Sequence, residues 1–585
     1  MCGIIAYNGQ DNAVPYLMDG IRNLEYRGYD SCGCVLDGNN NKLIIKKDTG
    51  RIDEVIKKYD IGKYSSTRGI FHTRWGTIGD ITKENAHPFA DCMEKIAVAH
   101  NGIIENWEEL KAGLMAHKFK SDTDTEVLVH FLEEKLKEGL PIEDAVKLLF
   151  SKIKGLSSFV IMDKDSDDLI AVKNGSPLVL GISKNGTFVS SDVPSFLKYT
   201  NKVIYLMDGD MVRISKSGYA IDNLLDNKMK HQVSTVNFSI KDIEKGRHKH
   251  FMIKEILEQP NLIRKFESTD FSKVYAAADL VKSARTVYIL GAGTSHYAGM
   301  LGAKFFLENG IQAVPIQGQE ILTYLKVISP RDVFIIISQS GETADIISAL
   351  PLIKNNKKIG LINNESSTIA REVDIFIDIG AGPEKAVAST KAFTLSSLYT
   401  AFIAMAASGR INEAFKDLRL LNLNMYNLLV PSVNRAIDTA AEKLKEMDDV
   451  FYLGRDHDYV LCMEGALKLK EIAYVHAEAI DAATFKHGPL ALISSDKYSI
   501  ALVSNRFRDA TTHNLEEVKA RKGKIIGISD KPSNTFDMFI RIPDAGMFTF
   551  VFQAMALQLL AYKTSLLKGI DCDHPRNLAK AVTVK

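Results

Sequence analysis

The sequence predicts a multidomain α/β protein, with stacked sheets flanked by helices in its first part and two parallel sheets covered by helices on both faces in the remainder. Three observations carry this. Residues up to about 235 hold short β-branched or aromatic runs ("GCVLDG", "KLIIKK", "KIAVAH", "SFVIMDK", "LIAVKN", "TFVSSD") separated by Gly, Asn and Asp turns. Beyond them, apolar runs ending in small-residue turns alternate with helical patterns, the order of a parallel sheet. That second part is also duplicated. "VYILG" returns as "VFYLG", "VFIIIS" as "SIALVS", "KKIGLIN" as "GKIIGIS" and "VDIFID" as "FDMFIR", in register at an offset of about 165 residues.

In the first part, "CGIIAYNG" reads as a buried strand presenting Cys2 at one end, and two helical patterns, "NAVPYLMDGIRNLEYRG" and "TDTEVLVHFLEEKLKEG", interrupt the strands. Composition narrows the function. The 585 residues are 46% hydrophobic and 25% charged, the profile of a globular protein of several domains. With 73 basic against 72 acidic residues, no bulk field recruits nucleic acid or an anionic membrane, and a small-molecule substrate is expected. No signal peptide and no unbroken apolar run of about 18 residues is read, so a cytoplasmic protein without membrane contact is expected. Six scattered cysteines (Cys2, Cys32, Cys34, Cys92, Cys462, Cys572) carry no CxxC pair or disulfide framework, and the histidines show no HExxH or clustered spacing, so neither a metal nor another cofactor is expected.

Cys2 follows the initiator methionine, whose removal would leave a thiol and a free α-amine on one carbon, a nucleophile carrying its own base. Three stretches offer it partners. In "HTRWGTIGDITKENAHPF", Arg74 has the planar fork that grips a carboxylate. In "AHNGIIEN", read as ending a strand at His100, Asn101 offers a side-chain amide and Gly102 a backbone N–H to a developing oxyanion. In "SDTDTEVL", Asp124 suits a substrate ammonium. Together these fit an amino acid with a side-chain amide, glutamine being the natural case. Each has an ordinary alternative: Met-Cys-Gly by chance, Arg74 in a surface ion pair, "HNG" as a hairpin turn, Asp124 as an N-cap.

In the second part, Ser338, Gln339, Ser340 and Thr343 of "SQSGET" crowd a turn read as opening a helix, whose free N–H groups favour an anion. The expected ligand is a compact sugar phosphate, with Thr294, Ser295 and Ser389 closing the site; the alternative is a Ser-rich N-cap without ligand. A dinucleotide fits worse, because His296 stands where the third Gly of G-x-G-x-x-G belongs. In "EGALKLKE", Glu464, Lys468 and Glu471 share one helical face, among alanines and leucines that suggest partial burial rather than a solvated ladder.

The ordered motifs "MCGI", "EYRGYDS", "HTRW", "NAHP", "HNG" and "SDTDTE" resemble the class II glutamine amidotransferases, whose fold is an αββα N-terminal-nucleophile sandwich. The duplicated part resembles doubly wound sugar isomerase (SIS) domains. The stretches "SQSGETAD", "VASTKAFT", "EGALKLKEIAYVHAEA", "KHGPLALI" and "PRNLAKAVTVK" extend the resemblance to the isomerizing glutamine–fructose-6-phosphate aminotransferases over nearly the whole chain. The resemblance implies L-glutamine and fructose 6-phosphate as substrates, glucosamine 6-phosphate as product, and a homo-oligomer, a dimer by likeness. It implies supporting roles for Arg27 and His87 at the glutamine site and an ammonia channel gated by Trp75. In the sugar site it implies proton transfer by Glu471 beside Lys468, ring opening by His487, a Schiff base on Lys580, and a further carboxylate at Glu384. The expected domains are 2–225 glutaminase, 226–270 linker, 271–415 and 436–575 the SIS copies, and 576–585 a catalytic tail. Ile78, Ala292, Thr484 and Phe485 depart from the family pattern, which keeps open a paralogue acting on another keto-sugar phosphate. A third possibility is a sugar-phosphate sensor with a degenerate amidotransferase domain, against which Cys2, Glu471, His487 and Lys580 all stand.

Overall fold

The structure, a computed structural model, describes residues 2–38, 42–225, 231–236, 239–365 and 367–580. Met1, the segments 226–230 and 237–238 of the expected linker, and 581–585 of the expected tail lie outside the described residues. The chain divides into two units, Met1–Ile243 with Ala579–Lys585, and Glu244–Leu578.

In the first unit, β1 (Gly3–Gly9), α1 (Ala13–Arg22), β2 (Arg68–Arg74), β3 (Ile96–Gly102), α2 (Glu126–Lys137) and β4 (Ser157–Asp163) position the site. β1 and β2 pair antiparallel within an eight-stranded sheet, and β3 and β4 pair antiparallel within a six-stranded one. Strand alternation sorts the side chains into layers. Ile4 and Ala6 of β1 meet Ala97 and Ala99 of β3 and Val160 and Met162 of β4 between the sheets. Ile5 and Tyr7 turn the other way and pack on Val14, Leu17 and Ile21 of α1. Val98, Phe159 and Ile161 pack outward on Val127, Leu128 and Phe131 of α2. The order is helix, sheet, sheet, helix. Contrary to expectation β3 does not end at His100, and "HNG" is not a hairpin turn: Asn101 pairs with Ser158 and Gly102 with Ser157. The low strand propensity of Asn and Gly hides this in the sequence. Gly102 continues the strand at φ +133°, where an added Cβ would stand 2.0 Å from the Leu156 carbonyl oxygen.

The second unit repeats one topology. Strands β5 (Val287–Gly291), β6 (Ala313–Gln317), β7 (Val333–Ser338), β8 (Lys357–Ile362) and β9 (Ile375–Asp378) form a parallel sheet in the order β6-β5-β7-β8-β9. Strands β10 (Asp449–Gly454), β11 (His476–Asp481), β12 (Tyr498–Val503), β13 (Lys524–Ser529) and β14 (Met538–Arg541) form another, in the order β11-β10-β12-β13-β14. One continuous core spans both copies through α4 (Thr294–Glu308), α6 (Lys391–Ala407), α7 (His457–Ala473) and α8 (Thr549–Leu567), labels that follow α3 (Phe251–Glu267) in the chain. The helical end of the expected 226–270 linker is not a spacer, since α3 buries Met252, Ile256, Ile263 and Phe266 in this core. The stretch Gly546–Leu567 is long and apolar enough to cross a membrane, but it is 83% buried inside the fold. Its polar residues are partnered there, Gln553 with Asp458 (2.7 Å) and Gln558 with Gln259 (2.7 Å), as befits a central core helix.

Candidate active sites

Gly3 lies opposite Thr73 across β1 and β2, so Cys2 emerges beside Arg74. The Trp75 N–H points at the Cys2 sulfur (3.4 Å), and the thiol lies 3.6 Å from the Trp75 carbonyl. Arg27 donates from Nε to the Cys2 carbonyl (3.1 Å) and lies 3.6 Å from Asp192. Arg74 is buried, not a surface ion pair. Its guanidinium donates to the carbonyls of Ile78, Gly79 (3.3 Å) and Asp80 (3.3 Å), a loop held by neutral acceptors. Burial pulls the Arg74 pKa down, and Cys2, Asp30 and Asp124 act against that, which puts these groups in one electrostatic neighbourhood. Asp124 is buried and accepts from the Ile104 N–H (2.7 Å). It does not cap α2, because Thr125 holds the cap position.

Asn101 donates its side-chain amide to Ser191 Oγ (2.8 Å), which also accepts from the Ile4 N–H (2.8 Å), tying Asn101 to the strand that carries Cys2. The amide oxygen of Asn101 faces His72 Nε2 (3.2 Å), which also faces the His100 carbonyl (3.1 Å), so the proton is assigned to that nitrogen. One amide hydrogen of Asn101 is left without an acceptor among the described residues. The Ile103 N–H donates to Leu156 across the ladder (2.8 Å), so by alternation the Gly102 N–H points to the other edge of β3. The His100 N–H on that same edge reaches His87 Nδ1 (3.3 Å). His87 stacks on His72 at 4.1 Å. Burial pushes His72 down to about 3, His87 well below its ordinary value, and His100 in the same direction. All three rings are therefore neutral near pH 7, which leaves Arg27 and Arg74 as buried cations beside Cys2.

In the second unit the helical face read from the sequence is a buried ion cluster. Lys468 Nζ lies 2.7 Å from Glu471, 3.0 Å from Thr294 Oγ1 and 3.4 Å from Glu464. The Thr294 hydroxyl also donates to Glu464 (3.3 Å), so Thr294 belongs with these charges rather than with the hydroxyl turn. Burial pushes the Glu464 carboxyl up to about 7 against the pull of Lys468. Burial alone would lower the Lys468 ammonium, but Glu464 and Glu471 hold it above its ordinary value. His487 closes a short 3-10 turn, Phe485–His487, and is exposed, its ring without a partner among the described residues. Lys580 falls with the first unit.

The hydroxyl turn forms at the end of β7. Ser338 Oγ accepts from the Gly341 N–H (2.9 Å) and lies 3.3 Å from Thr343 Oγ1, while Ser340 Oγ accepts from the Glu342 N–H (3.1 Å). Gln339, Ser340 and Thr343 are half-buried, as is Ser295 in the first turn of α4. The helix that follows is shorter than expected: α5 (Ala344–Ala349 in chain order, between α4 and α6) tightens at once into the 3-10 turn Leu350–Ile353 around Pro351, which limits its dipole. Ser389 and Glu384 are engaged with each other (3.0 Å), and Glu384 also accepts from the N–H groups of Thr390 (2.9 Å) and Ala392 (3.3 Å), capping α6.

A family model of the SIS domain matches residues 280–406 and 443–562, and one of a glutamine amidotransferase domain matches 72–198. The chain is 38% identical over 604 residues to the glutamine–fructose-6-phosphate aminotransferase (isomerizing) of Thermococcus kodakarensis, and 39% identical over 602 residues to that of Aquifex aeolicus, covering 100% of both chains in each case. The chain belongs to this family. Among solved structures, the C-terminal domain of glucosamine-fructose-6-phosphate aminotransferase from Francisella tularensis matches at a TM-score of 0.53 and 30% identity, over 57% of this chain and 100% of that one.

Several site residues escaped the sequence. His72 and Ser191 orient Asn101, and Asp30 receives the Gly76 N–H (2.8 Å) next to Trp75. Their only signal is polarity at the ends of buried strands. Glu464 is legible as part of a helical face but not as the buried carboxyl of the cluster. Cys92, His117, His130 and Glu133 also converge, with ligand-type atoms all within 4.8 Å of one another. Only His130 and Glu133 share an element, so no spacing rule announces the group. Of the departures from the family pattern, Ile78 meets Arg74 through its carbonyl, and Phe485 is buried against Phe451 (5.2 Å), which anchors the turn before His487. Ala292 is half-buried and Thr484 exposed.

Proposed function

We propose that the protein hydrolyses L-glutamine with Cys2 and transfers the released nitrogen to fructose 6-phosphate, forming glutamate and glucosamine 6-phosphate. The observation that carries this is the Cys2 sulfur set against the Trp75 main chain, in the same neighbourhood as buried Arg74 and Asp124. Arg74 binds the α-carboxylate of glutamine and Asp124 its ammonium, while Arg27 and His87 hold the strand ends that frame them. With methionine removed, the Cys2 α-amine takes the thiol proton and the sulfur adds to the amide carbon. The remaining amide hydrogen of Asn101 and the Gly102 N–H stabilise the oxyanion. The amine returns the proton to the leaving nitrogen, ammonia departs, and water cleaves the thioester to glutamate. Trp75 stands at the exit for ammonia.

On the sugar side, Ser338, Gln339, Ser340, Thr343, Ser295 and Ser389 receive the phosphate. His487 moves the proton that opens the ring. Lys580 condenses with the C2 ketone, losing water, and ammonia displaces it to leave the C2 imine. Glu471, charge-paired with Lys468, removes a proton from C1 to give the enolamine and returns one to C2, leaving the 2-amino aldehyde. Thr294 and Glu464 fix the Lys468 ammonium, and Glu384 supports Ser389 through the α6 cap.

Incubation with glutamine and fructose 6-phosphate tests this: glutamate and glucosamine 6-phosphate should appear in equal amounts. Cys2→Ala should abolish glutamine use and leave isomerisation of fructose 6-phosphate measurable; loss of both would refute separable sites. Intact mass showing active protein with methionine retained would refute the amine as base. The buried Phe485 next to the His487 turn favours one further arm, a panel of ketose phosphates, in which turnover confined to another sugar would identify a paralogue.

A further inference from the structure

Away from both sites, four chemically suited side chains meet in the first unit. Cys92 sits in the turn before β3, His117 in the segment leading to α2, and His130 and Glu133 on one face of α2, three residues apart. We propose that Cys92, His117, His130 and Glu133 form a tetrahedral site for a divalent transition metal of the zinc type.

The distances fit such an ion. With bonds of about 2.3 Å to sulfur, about 2.05 Å to nitrogen and about 2.0 Å to oxygen, a tetrahedron has S···N edges of about 3.6 Å and N···O edges of about 3.3 Å. Cys92 Sγ lies 3.7 Å from His117 Nδ1 and 3.9 Å from His130 Nδ1, and Glu133 Oε2 lies 3.0 Å from each of those nitrogens. At His117 the second sphere has the pattern that metal-bound histidines use, a carboxylate bonded to the outward ring nitrogen, and at His130 a carboxylate lies on that side beyond hydrogen-bond distance. Glu134 is 2.9 Å from His117 Nε2, and Glu126 is 3.6 Å from His130 Nε2. The other oxygen of Glu133 is held by Lys137 (2.7 Å). Thiolate and carboxylate together neutralise a dication, and one sulfur with two imidazoles selects zinc, cobalt or nickel over magnesium or calcium. The histidines and Glu133 are buried while Cys92 is exposed, which gives the ion an entry path.

Four protein ligands leave no open position, so the metal is structural. It would fasten the turn before β3 and the 113–121 segment to α2. The carboxylate behind His130 has a second task. Glu126 accepts from the N–H groups of Lys120 (2.9 Å) and Ser121 (2.7 Å), shaping the turn that carries Asp124.

The test uses full-length Cys2→Ala protein, in which the cysteines other than Cys92 are buried. After chelation and dialysis against Co2+, about one equivalent should be retained, with strong tetrahedral d–d absorption and a thiolate-to-cobalt charge-transfer band. Cys92→Ser in the same background should lose that band and bind roughly 100-fold or more weakly, whereas Glu134→Gln should keep the band and weaken binding by about 10- to 100-fold. Substoichiometric retention, a weak octahedral spectrum, or binding unchanged by Cys92→Ser would overturn the proposal. Should Cys92→Ser fail to fold, absence of the charge-transfer band from the Cys2→Ala protein itself would decide against it.

Discussion

The two copies of the parallel-sheet fold share a backbone and differ in where they put chemistry. Each turns from its first-named strand into a helix through a residue of the same unusual conformation, Gly293 at φ 54°, ψ −126° and Asp456 at φ 53°, ψ −113°. Counted from those caps, Glu464 and Lys468 of the second copy fall where the first has Leu301 and Phe305, both buried. The fold is thus content with hydrocarbon at these positions, and the ion cluster is an addition that folding does not require. At the next loop the roles reverse. The first copy has the hydroxyl turn after Ser338, whereas in the second the equivalent turn is filled by Arg508, which binds Ser529 (3.0 Å) and Asp530. One copy leaves hydroxyls at its turn, and the other keeps buried charge.

The largest effect should come from making the second copy resemble the first. Lys468→Met should lower glucosamine 6-phosphate formation by about 100- to 10,000-fold and, by leaving Glu464 buried without its cation, destabilise the second unit by about 3–5 kcal/mol. The double change Glu464→Leu with Lys468→Phe should be as inactive but as stable as the parent or more so, by about 1–4 kcal/mol. Denaturant titration with activity assays distinguishes the two, and a double variant less stable than Lys468→Met would show that the cluster is structural after all.

This contrast also marks what the sequence could reveal. The repeat is legible because its strands are runs of Val, Ile and Leu that hold register, and Cys2 is legible as a candidate nucleophile because a thiol and an α-amine would share one carbon there. Asn101 and Gly102 were legible as donors but not as strand, because Asn and Gly signal turns and only the Leu156 carbonyl at 2.0 Å from a would-be Cβ shows why Gly continues the ladder. From the sequence Thr294 is expected to close the phosphate site with Ser295 and Ser389, yet its partners Glu464 and Lys468 come from 170 and 174 residues away. Glu384, which the resemblance implies as a further carboxylate of the sugar site, accepts from backbone N–H groups at the start of α6, a contact no spacing announces. Contacts between copies have no local signature.

At the hydroxyl turn, Ser340→Ala with Thr343→Val should raise KM for fructose 6-phosphate by about 10- to 100-fold, the loss of one or two neutral hydrogen bonds to a charged group, with kcat little changed. Arg508→Ala in the second copy should leave KM unaltered and lower stability by about 1–3 kcal/mol, the loss of partly buried charged hydrogen bonds. A matching KM effect at Arg508 would mean that the second copy also touches the sugar, and the division of labour would fail.

A smaller effect concerns pH. Burial raises the Glu464 carboxyl from 4.5 to about 7, so its protonated form favours the folded state: that contribution is full below about 4.5 and is lost as pH rises through about 7. Hydrogen exchange of the α7 backbone should therefore quicken between those values in the parent and stay flatter in Glu464→Gln. Glu464→Gln is itself the control: an equal pH response of α7 in the parent and in the variant would assign the effect elsewhere.

The smallest effect lies at the shared turn itself. A left-handed φ costs a non-glycine residue about 1–3 kcal/mol where the surroundings enforce it, and the ion pair that Asp456 makes with Lys304 (2.8 Å) is partly exposed and returns about 0–1 kcal/mol. Asp456→Gly should therefore raise the thermal midpoint of the second unit slightly, while Gly293→Ala in the first copy should lower it. If Asp456→Gly instead lowers the midpoint, the tie to Lys304 on α4 outweighs the strain, and Asp456 is there to clamp the two copies together rather than as a tolerated departure from glycine.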